Sequence, residues 1–450
     1  MGSRLLSRAI PVPRLRAGLT DQSTNKGTLP GAARAGGCLA CARTAAGGAA
    51  PPFSALVWAA VLRRFAAALA LAALALAGCD VGDDDGGVPP QLGARADDDQ
   101  AVEKLGFPAT ATRNTVRVGG GDAIANAAGV VNALFPGNSD ARRPPAIALV
   151  DAEAWQAGIA AAALMAEPLG IPTLLTDGRD LPAVTEDVLE RVDPRGSDLS
   201  KDAEVIRIGE DTPEPDDRKT DTIEGDDPYA LAAAIDRYVT IARGEPSDDV
   251  IIASGEQAAY AMPAAAWAAR SGDSVLFTRK DSVPRATLAA LRRRQRPDIF
   301  VLGPESVISQ RAVRALRRVG RVRRIEGRTP VDNAIAFARY RGAGFGWGIV
   351  VPGYNFAVAN TDDPADAVAA APLGANGIFA PLLLTDRAER LPQSLEGYFL
   401  DVQPGYADRD PSNAVYNRVW IIGDEDALSI AAQGRLDEIT ELVPVNPREP

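Results

Sequence analysis

No histidine occurs anywhere in this 450-residue chain, and that absence removes more chemistry than any other. Ser-His-Asp and Cys-His nucleophilic catalysis both need an imidazole, and so do histidine-ligated metal sites. Cysteine is nearly as scarce: Cys38, Cys41 and Cys79 are the only three. The chain beyond Cys79 therefore holds no disulfide, and packed aliphatic and alanine side chains must stabilise it, as a chain of this length allows. Cys38-Leu39-Ala40-Cys41 is a lone C-x-x-C with no second ligand pair, so neither a zinc site nor a dithiol centre is implied. Basic charge is also short. Nine of the 48 lysines and arginines and one of the 59 carboxylates, Asp21, precede Cys79, leaving 39 against 58 and a net charge near −19 from there on. So acidic a body argues against broad nucleic-acid binding, which needs cations to displace counterions from phosphate.

Long apolar runs are missing too. The stretch over residues 65–77 follows Arg63-Arg64 and is shorter than the ~20 residues a membrane-spanning helix requires. Two arginines, a short apolar core and small residues before a cleavage point predict a secretory signal over 61–78. Its end, Leu76-Ala77-Gly78-Cys79, resembles the bacterial lipobox, which implies acylation of the Cys79 thiol and cleavage before it. Residues 1–60 are rich in Gly, Ala, Pro and Arg without apolar periodicity before Phe53, and are expected to be an upstream artefact of a misassigned start. After Cys79, Asp80-Val81-Gly82-Asp83-Asp84-Asp85 and Asp97-Asp98-Asp99 are too acidic and too poor in aliphatics to bury a core. Residues 79–113 are expected to form a flexible tether, with order beginning near Thr115. The aspartates lack the spacing of a calcium loop, so no metal is implied.

What the chain has in abundance is repetition. One sequence of features occurs three times: an apolar strand, an alanine-rich helix, a strand ending in threonine, a helix, and a strand ending in glycine. The first strands are residues 147–151, 250–254 and 349–352. The second end at Thr176, Thr278 and Thr385, preceded by Leu174-Leu175, Leu276-Phe277 and Leu383-Leu384, and the closing strands reach Gly209, Gly303 and Gly423. A period near one hundred residues marks a repeated domain and not a solenoid turn. Arg117-Val118-Gly119-Gly120-Gly121-Asp122, Thr222-Ile223-Glu224-Gly225 and Arg324-Ile325-Glu326-Gly327 open the three units, and Asp227-Pro228 and Thr329-Pro330 supply helix caps. Short, uniformly apolar strands alternating with helices predict an α/β fold of parallel sheets covered on both faces.

The segments Ile251-Ile252-Ala253-Ser254-Gly255-Glu256, Val283-Pro284, Val307-Ile308-Ser309 and Arg324-Ile325-Glu326-Gly327 together resemble the type two cell wall-binding repeat. Tyr354-Asn355-Phe356, Ala365-Asp366-Ala367 and Leu382-Leu383-Leu384-Thr385 extend the resemblance through the third copy. The family's opening motif is degraded in every copy: Tyr229 survives, while its Arg-Tyr pair and threonine do not. The resemblance implies three tandem units on a bacterial surface protein, arranged around a pseudo-threefold, and contact with envelope polysaccharide.

Candidate binding residues are few. Gly119-Gly120-Gly121 lacks the dinucleotide fingerprint, because Ile124 stands where a glycine would be needed, and reads as a turn. Asp177, Glu256, Asp281 and Asp386 follow strand ends, where open α/β sheets bind ligands, yet none has a second member at a defined spacing. One patch opposes the global charge. Arg292-Arg293-Arg294 ends one helix of the second unit, and Arg311, Arg314, Arg317 and Arg318 recur at three- and four-residue intervals along the next, with Arg323 and Arg324 beyond. Arg293, Arg294, Arg311, Arg314, Arg317 and Arg318 are thus the candidate contacts for an anionic glycopolymer.

These readings predict three tandem Rossmann-like units, over 114–220, 221–321 and 322–446. They describe a non-catalytic, cofactor-free, monomeric lipoprotein, anchored to the membrane through Cys79 and facing the cell wall. A solute-binding lipoprotein is the alternative, but a solute receptor has two lobes, and this chain offers three units.

Overall fold

The computed structural model describes residues 109–136, 143–375, 377–406 and 414–445. Residues 1–60, the signal over 61–78, Cys79 and the tether to residue 108 lie outside the described residues.

The first unit runs β1 (Ala109–Ala111), β2 (Thr115–Val118), α1 (Ala123–Leu134), β3 (Ile147–Asp151), α2 (Trp155–Ala161), β4 (Thr173–Thr176), α3 (Ala183–Val192) and β5 (Val205–Ile208). The second runs β6 (Thr220–Ile223), α4 (Pro228–Arg243), β7 (Asp249–Ser254), α5 (Ala258–Ala261), α6 (Pro263–Ser271), β8 (Ser274–Thr278), α7 (Arg285–Arg292), β9 (Asp298–Leu302) and α8 (Gln310–Leu316). The third runs β10 (Arg321–Ile325), α9 (Pro330–Arg339), β11 (Asn355–Asn360), α10 (Asp366–Ala370), β12 (Leu382–Thr385), α11 (Gln393–Asp401), β13 (Gly405–Tyr406), β14 (Arg418–Ile422), α12 (Ile430–Ile439) and β15 (Val443–Pro444). Helix starts follow the caps read from sequence: Asp227 accepts from the Ala230 amide with Pro228 next in line, and Thr329 forms a capping box with Asp332.

Three sheets have the orders β4-β3-β5-β6, β8-β7-β9-β10 and β12-β11-β14-β2-β1. All their pairings are parallel except β1 with β2. The sheets do not coincide with the three units. Each sheet takes three parallel strands from one unit and the fourth from the opening strand of the next. The third sheet takes its fourth from β2, at the start of the described chain, where Val419 pairs with Thr115 and Ile422 with Val118. The ends of the folded region are therefore joined within one sheet. Order also begins earlier than Thr115: β1 lies inside the range assigned to the tether, held by a turn in which the Thr112 amide donates to the Thr115 carbonyl at 2.9 Å.

The strand registers superimpose the repeats. Asp151, Ser254 and Asn360 lie opposite Thr176, Thr278 and Thr385. The paired residues before those threonines are buried throughout, none more than 1% exposed, each side chain contributing about 1.5–3 kcal/mol. One strand is misplaced by the sequence reading: the first strand of the third unit is β11, not residues 349–352. Val350 and Val351 are 60% and 53% exposed. Gly346, Gly348 and Gly353 adopt left-handed φ of 95°, 67° and 106°, which breaks the extended backbone there.

Between units the helices meet on small residues. A Cβ on Gly374 would lie 2.2 Å from the Ala266 carbonyl oxygen, and one on Gly158 would lie 2.5 Å from Val368 Cγ2. Alanine and glycine here let the third unit approach α6 and α2 at backbone distance, which explains why the helices are so rich in alanine.

Candidate functional site

At the C-terminal ends of the strands the chain builds the same turn three times. The closing glycines Gly209, Gly303 and Gly423 have φ of 93°, 114° and 99°. Their amides donate to Ile223, Ile325 and Val118 of the next opening strand at 2.9, 2.9 and 3.1 Å. The opening glycines then press against the following helix. A Cβ on Gly120, Gly225 or Gly327 would come within 2.3, 2.3 and 2.2 Å of Ala125 Cβ, Leu231 N and Asn333 N. That packing accounts for the glycines.

A guanidinium locks each turn. Arg117 on β2 donates to the carbonyls of Gly423, Asp424 and Leu428 and to Gln433 Oε1, and is 1% exposed. Arg324 on β10 donates to Gly303 and Ile308 at 2.6 and 2.7 Å. The second unit opens with Thr222 instead, and the arginine comes from the neighbouring strand. Arg207, in register with Thr222, donates to the carbonyls of Glu210 and Thr212. Burial lowers the pKa of both Arg117 and Arg324, opposed by nearby carboxylates. Sequence reasoning placed Arg324 in the binding patch; the structure makes it a clamp.

The cleft beside the first turn, about 930 Å³, is lined by Asp151, Glu153, Glu210, Asp211, Glu224 and Asp227 among others, with Arg237 and Arg293 as its only cations. Its charge disfavours polyanions. At the third turn, Asn126 Nδ2 donates to Asp366 Oδ1 at 2.8 Å. Burial, reinforced by Asp363, pushes the Asp366 carboxyl up to about 8. Thr176, Thr278 and Thr385 are fully buried, each hydroxyl donating to a carbonyl of its own turn.

The arginine patch divides. Arg294 is buried: it pairs with Asp236, with Nη2 at 2.5 Å from Oδ1, and also contacts Ser274. Arg293 is half-exposed and meets the other Asp236 oxygen at 3.1 Å. Arg294 is therefore spent on an internal carboxylate, while Arg293 keeps about half of its surface open beside the first cleft. Arg321 and Arg323 are likewise held by Asp298. Arg311, Arg314, Arg317 and Arg318 are all exposed, and none forms an ion pair among the described residues. Arg311 and Arg314 stand on α8, Arg317 caps its C-terminus and Arg318 follows.

Residues 222–313 and 324–433 match the family Cell wall binding domain 2 (CWB2). The second and third units resemble cell wall binding domain 2 repeats along these spans. The first unit, outside the match, has the same strand order and turn. Among solved structures the chain is similar to Cwp8 from Clostridium difficile, with 20% identity and a TM-score of 0.56 over 73% of this chain and 52% of that one. It is also similar to Cwp6 from Clostridium difficile, with 17% identity and a TM-score of 0.57 over 74% of this chain and 51% of that one. The chain thus spans about half the length of the structures it matches. No curated protein matches it. In the first and third units the opening arginine is the turn clamp. The signal that could have identified it is its fixed place three residues before the opening glycine, in Arg117–Gly120 and Arg324–Gly327. Among the described residues, no helix is long and apolar enough to cross a membrane.

Proposed function

We propose that this chain is a non-catalytic cell-surface protein whose wall-binding repeats contact an anionic envelope glycopolymer, and that Cys79 anchors it to the outer face of the membrane by a lipid. The observation that carries the reading is the row Arg311, Arg314, Arg317 and Arg318. It is exposed and without an acidic partner among the described residues, in a chain whose net charge is −11. Unpaired arginines cost little on a surface and keep their planar donor forks free for phosphate or carboxylate. Distant carboxylates do not cancel them, because the Debye length at physiological salt is ~8 Å. Two acids of the same unit are already engaged: Asp298 by Arg321 and Arg323, and Glu305 by Gln310. The direct test is co-sedimentation of the purified protein with isolated wall glycopolymer and, separately, with bare peptidoglycan. Retention on the glycopolymer supports this function; equal retention on both removes the anionic ligand from it.

A further inference from the structure

A second surface stands at the opposite edge of the sheets, where strands β3, β4, β8 and β12 begin. A cleft of about 1100 Å³ opens there, lined by residues of all three units, among them Arg143, Arg195, Glu167, Arg270 and Phe379. Small-ligand clefts commonly measure about 300–1,000 Å³, so it is roomy enough for a sugar residue with its neighbours in a chain. Among the described residues, the cations on its lining outnumber the single carboxylate, Glu167.

Arg270 is the unusual member. It is exposed at the end of α6, and its guanidinium carbon lies 4.9 Å from the Trp347 ring centre, 5.0 Å from Phe379 and 5.7 Å from Trp267. No carboxylate pairs with it among the described residues, in contrast to Arg143, which meets Asp193 at 2.6 Å. Partial burial lowers its pKa, yet it remains a cation at any physiological pH. Three aromatic faces fix the plane of the guanidinium and leave its donor edge unspent. Phe379 is 46% exposed and has a left-handed φ of 54°. A bulky residue in that region is strained, and such strain gathers where a side chain is presented for use.

We infer that this cleft binds a pyranose unit carrying a carboxylate or phosphate, with Arg270 donating to the acid group and Phe379 stacking under the apolar C–H face of the ring. A paired hydrogen bond from arginine selects the acid, while the exposed aromatic face selects a sugar over a bare anion. The site is separate from the Arg311–Arg318 row and does not depend on it.

Trp267 and Trp347 border the site, so tryptophan emission of the whole protein reports on it. Titrations with glucuronic acid, glucose 6-phosphate, glucose and inorganic phosphate resolve the chemistry. Saturable quenching by either acidic sugar is expected, at least tenfold tighter than by glucose or phosphate. Arg270→Gln and Phe379→Ala should each weaken it at least tenfold with unchanged circular dichroism. Glutamine replacements at Arg314, Arg317 and Arg318 should leave it intact. Equal response to glucose would overturn recognition of the acid, equal response to phosphate would overturn recognition of the sugar, and no response to any probe would overturn the site. Loss of glycopolymer retention in the Arg314 triple variant with the titration preserved separates this inference from the preceding proposal.

Discussion

Arg117 Nη1 donates to the Gly423 carbonyl at 2.9 Å, so the first parallel strand of the fold and the last closing glycine share one hydrogen-bonded turn. The same clamp, Arg324 to Gly303, joins the second unit to the third. A chain of three α/β units thereby closes on itself, its two ends meeting in a single sheet.

Removing the clamp tests that closure. Arg117→Ala leaves the buried carbonyls of Gly423 and Leu428, and the part-buried one of Asp424, without this donor. An unsatisfied buried polar group costs about 1–3 kcal/mol, so a loss of roughly 3–5 kcal/mol is expected in denaturant unfolding. Hydrogen exchange should accelerate first in Thr115–Val118 and Arg418–Ile422. Uniform acceleration in all three sheets would argue that closure does not depend on this contact.

Two arginines of one sequence patch should respond in opposite ways. Arg294→Gln removes the buried cation from Asp236, which is 2% exposed, and leaves it only Arg293 and Ser274; burial raises its carboxyl, yet Arg294, Ser274 and Arg293 together hold it below the usual range. Breaking such a pair costs about 3–5 kcal/mol. Arg314→Gln on the exposed row should stay within about 0.5 kcal/mol of wild type. Thermal melts of the two variants side by side decide it.

The patch also shows the limit of what the sequence could tell. Arg293, Arg294, Arg314 and Arg317 are chemically identical letters in one basic stretch. Only the long-range position of Asp236 on α4 separates the structural pair from the free row. Strand identities were legible because continuous apolar runs ending in threonine or glycine are local signals, so β4, β8 and β12 fall where expected. Val350 and Val351 carried the same apolar signal without strand structure, since the left-handed glycines around them override it. The pairing of β2 with β14 left no local trace, because it is set by closure of the whole molecule.

Stability should fall as pH rises through the range set by Asp366. Its folded pKa, about 8, lies above the ordinary 3.8 because of burial and the neighbouring Asp363, with Asp424 and Asp122 adding to the effect. Between about pH 4 and 8 the unfolded chain has lost this proton while the folded chain keeps it, so unfolding becomes progressively easier. Below pH 4 both states are protonated and the term vanishes. Asp366→Asn retains an acceptor for Asn126, so its melting temperature at pH 8 should exceed that of wild type and vary less from pH 5 to 8. A variant with an unchanged pH profile would remove Asp366 as the cause.

Lipidation makes a prediction of its own. Cys79→Ser removes the thiol that acylation requires, so processing should stop and partitioning into the detergent phase should fall severalfold. Unchanged mass and partitioning would reject the anchor while leaving the repeat fold untouched.

Binding of purified wall glycopolymer, measured at several salt concentrations for wild type and for the variant with glutamine at Arg314, Arg317 and Arg318, bears most directly on the proposed function. Charge-assisted contacts weaken as salt screens them. Wild type should bind with a steep salt dependence, and the triple variant should bind at least tenfold more weakly with a flatter one, at nearly unchanged thermal midpoint. Full-strength binding by the triple variant with the same salt slope would contradict the assignment of the exposed arginine row to the polymer.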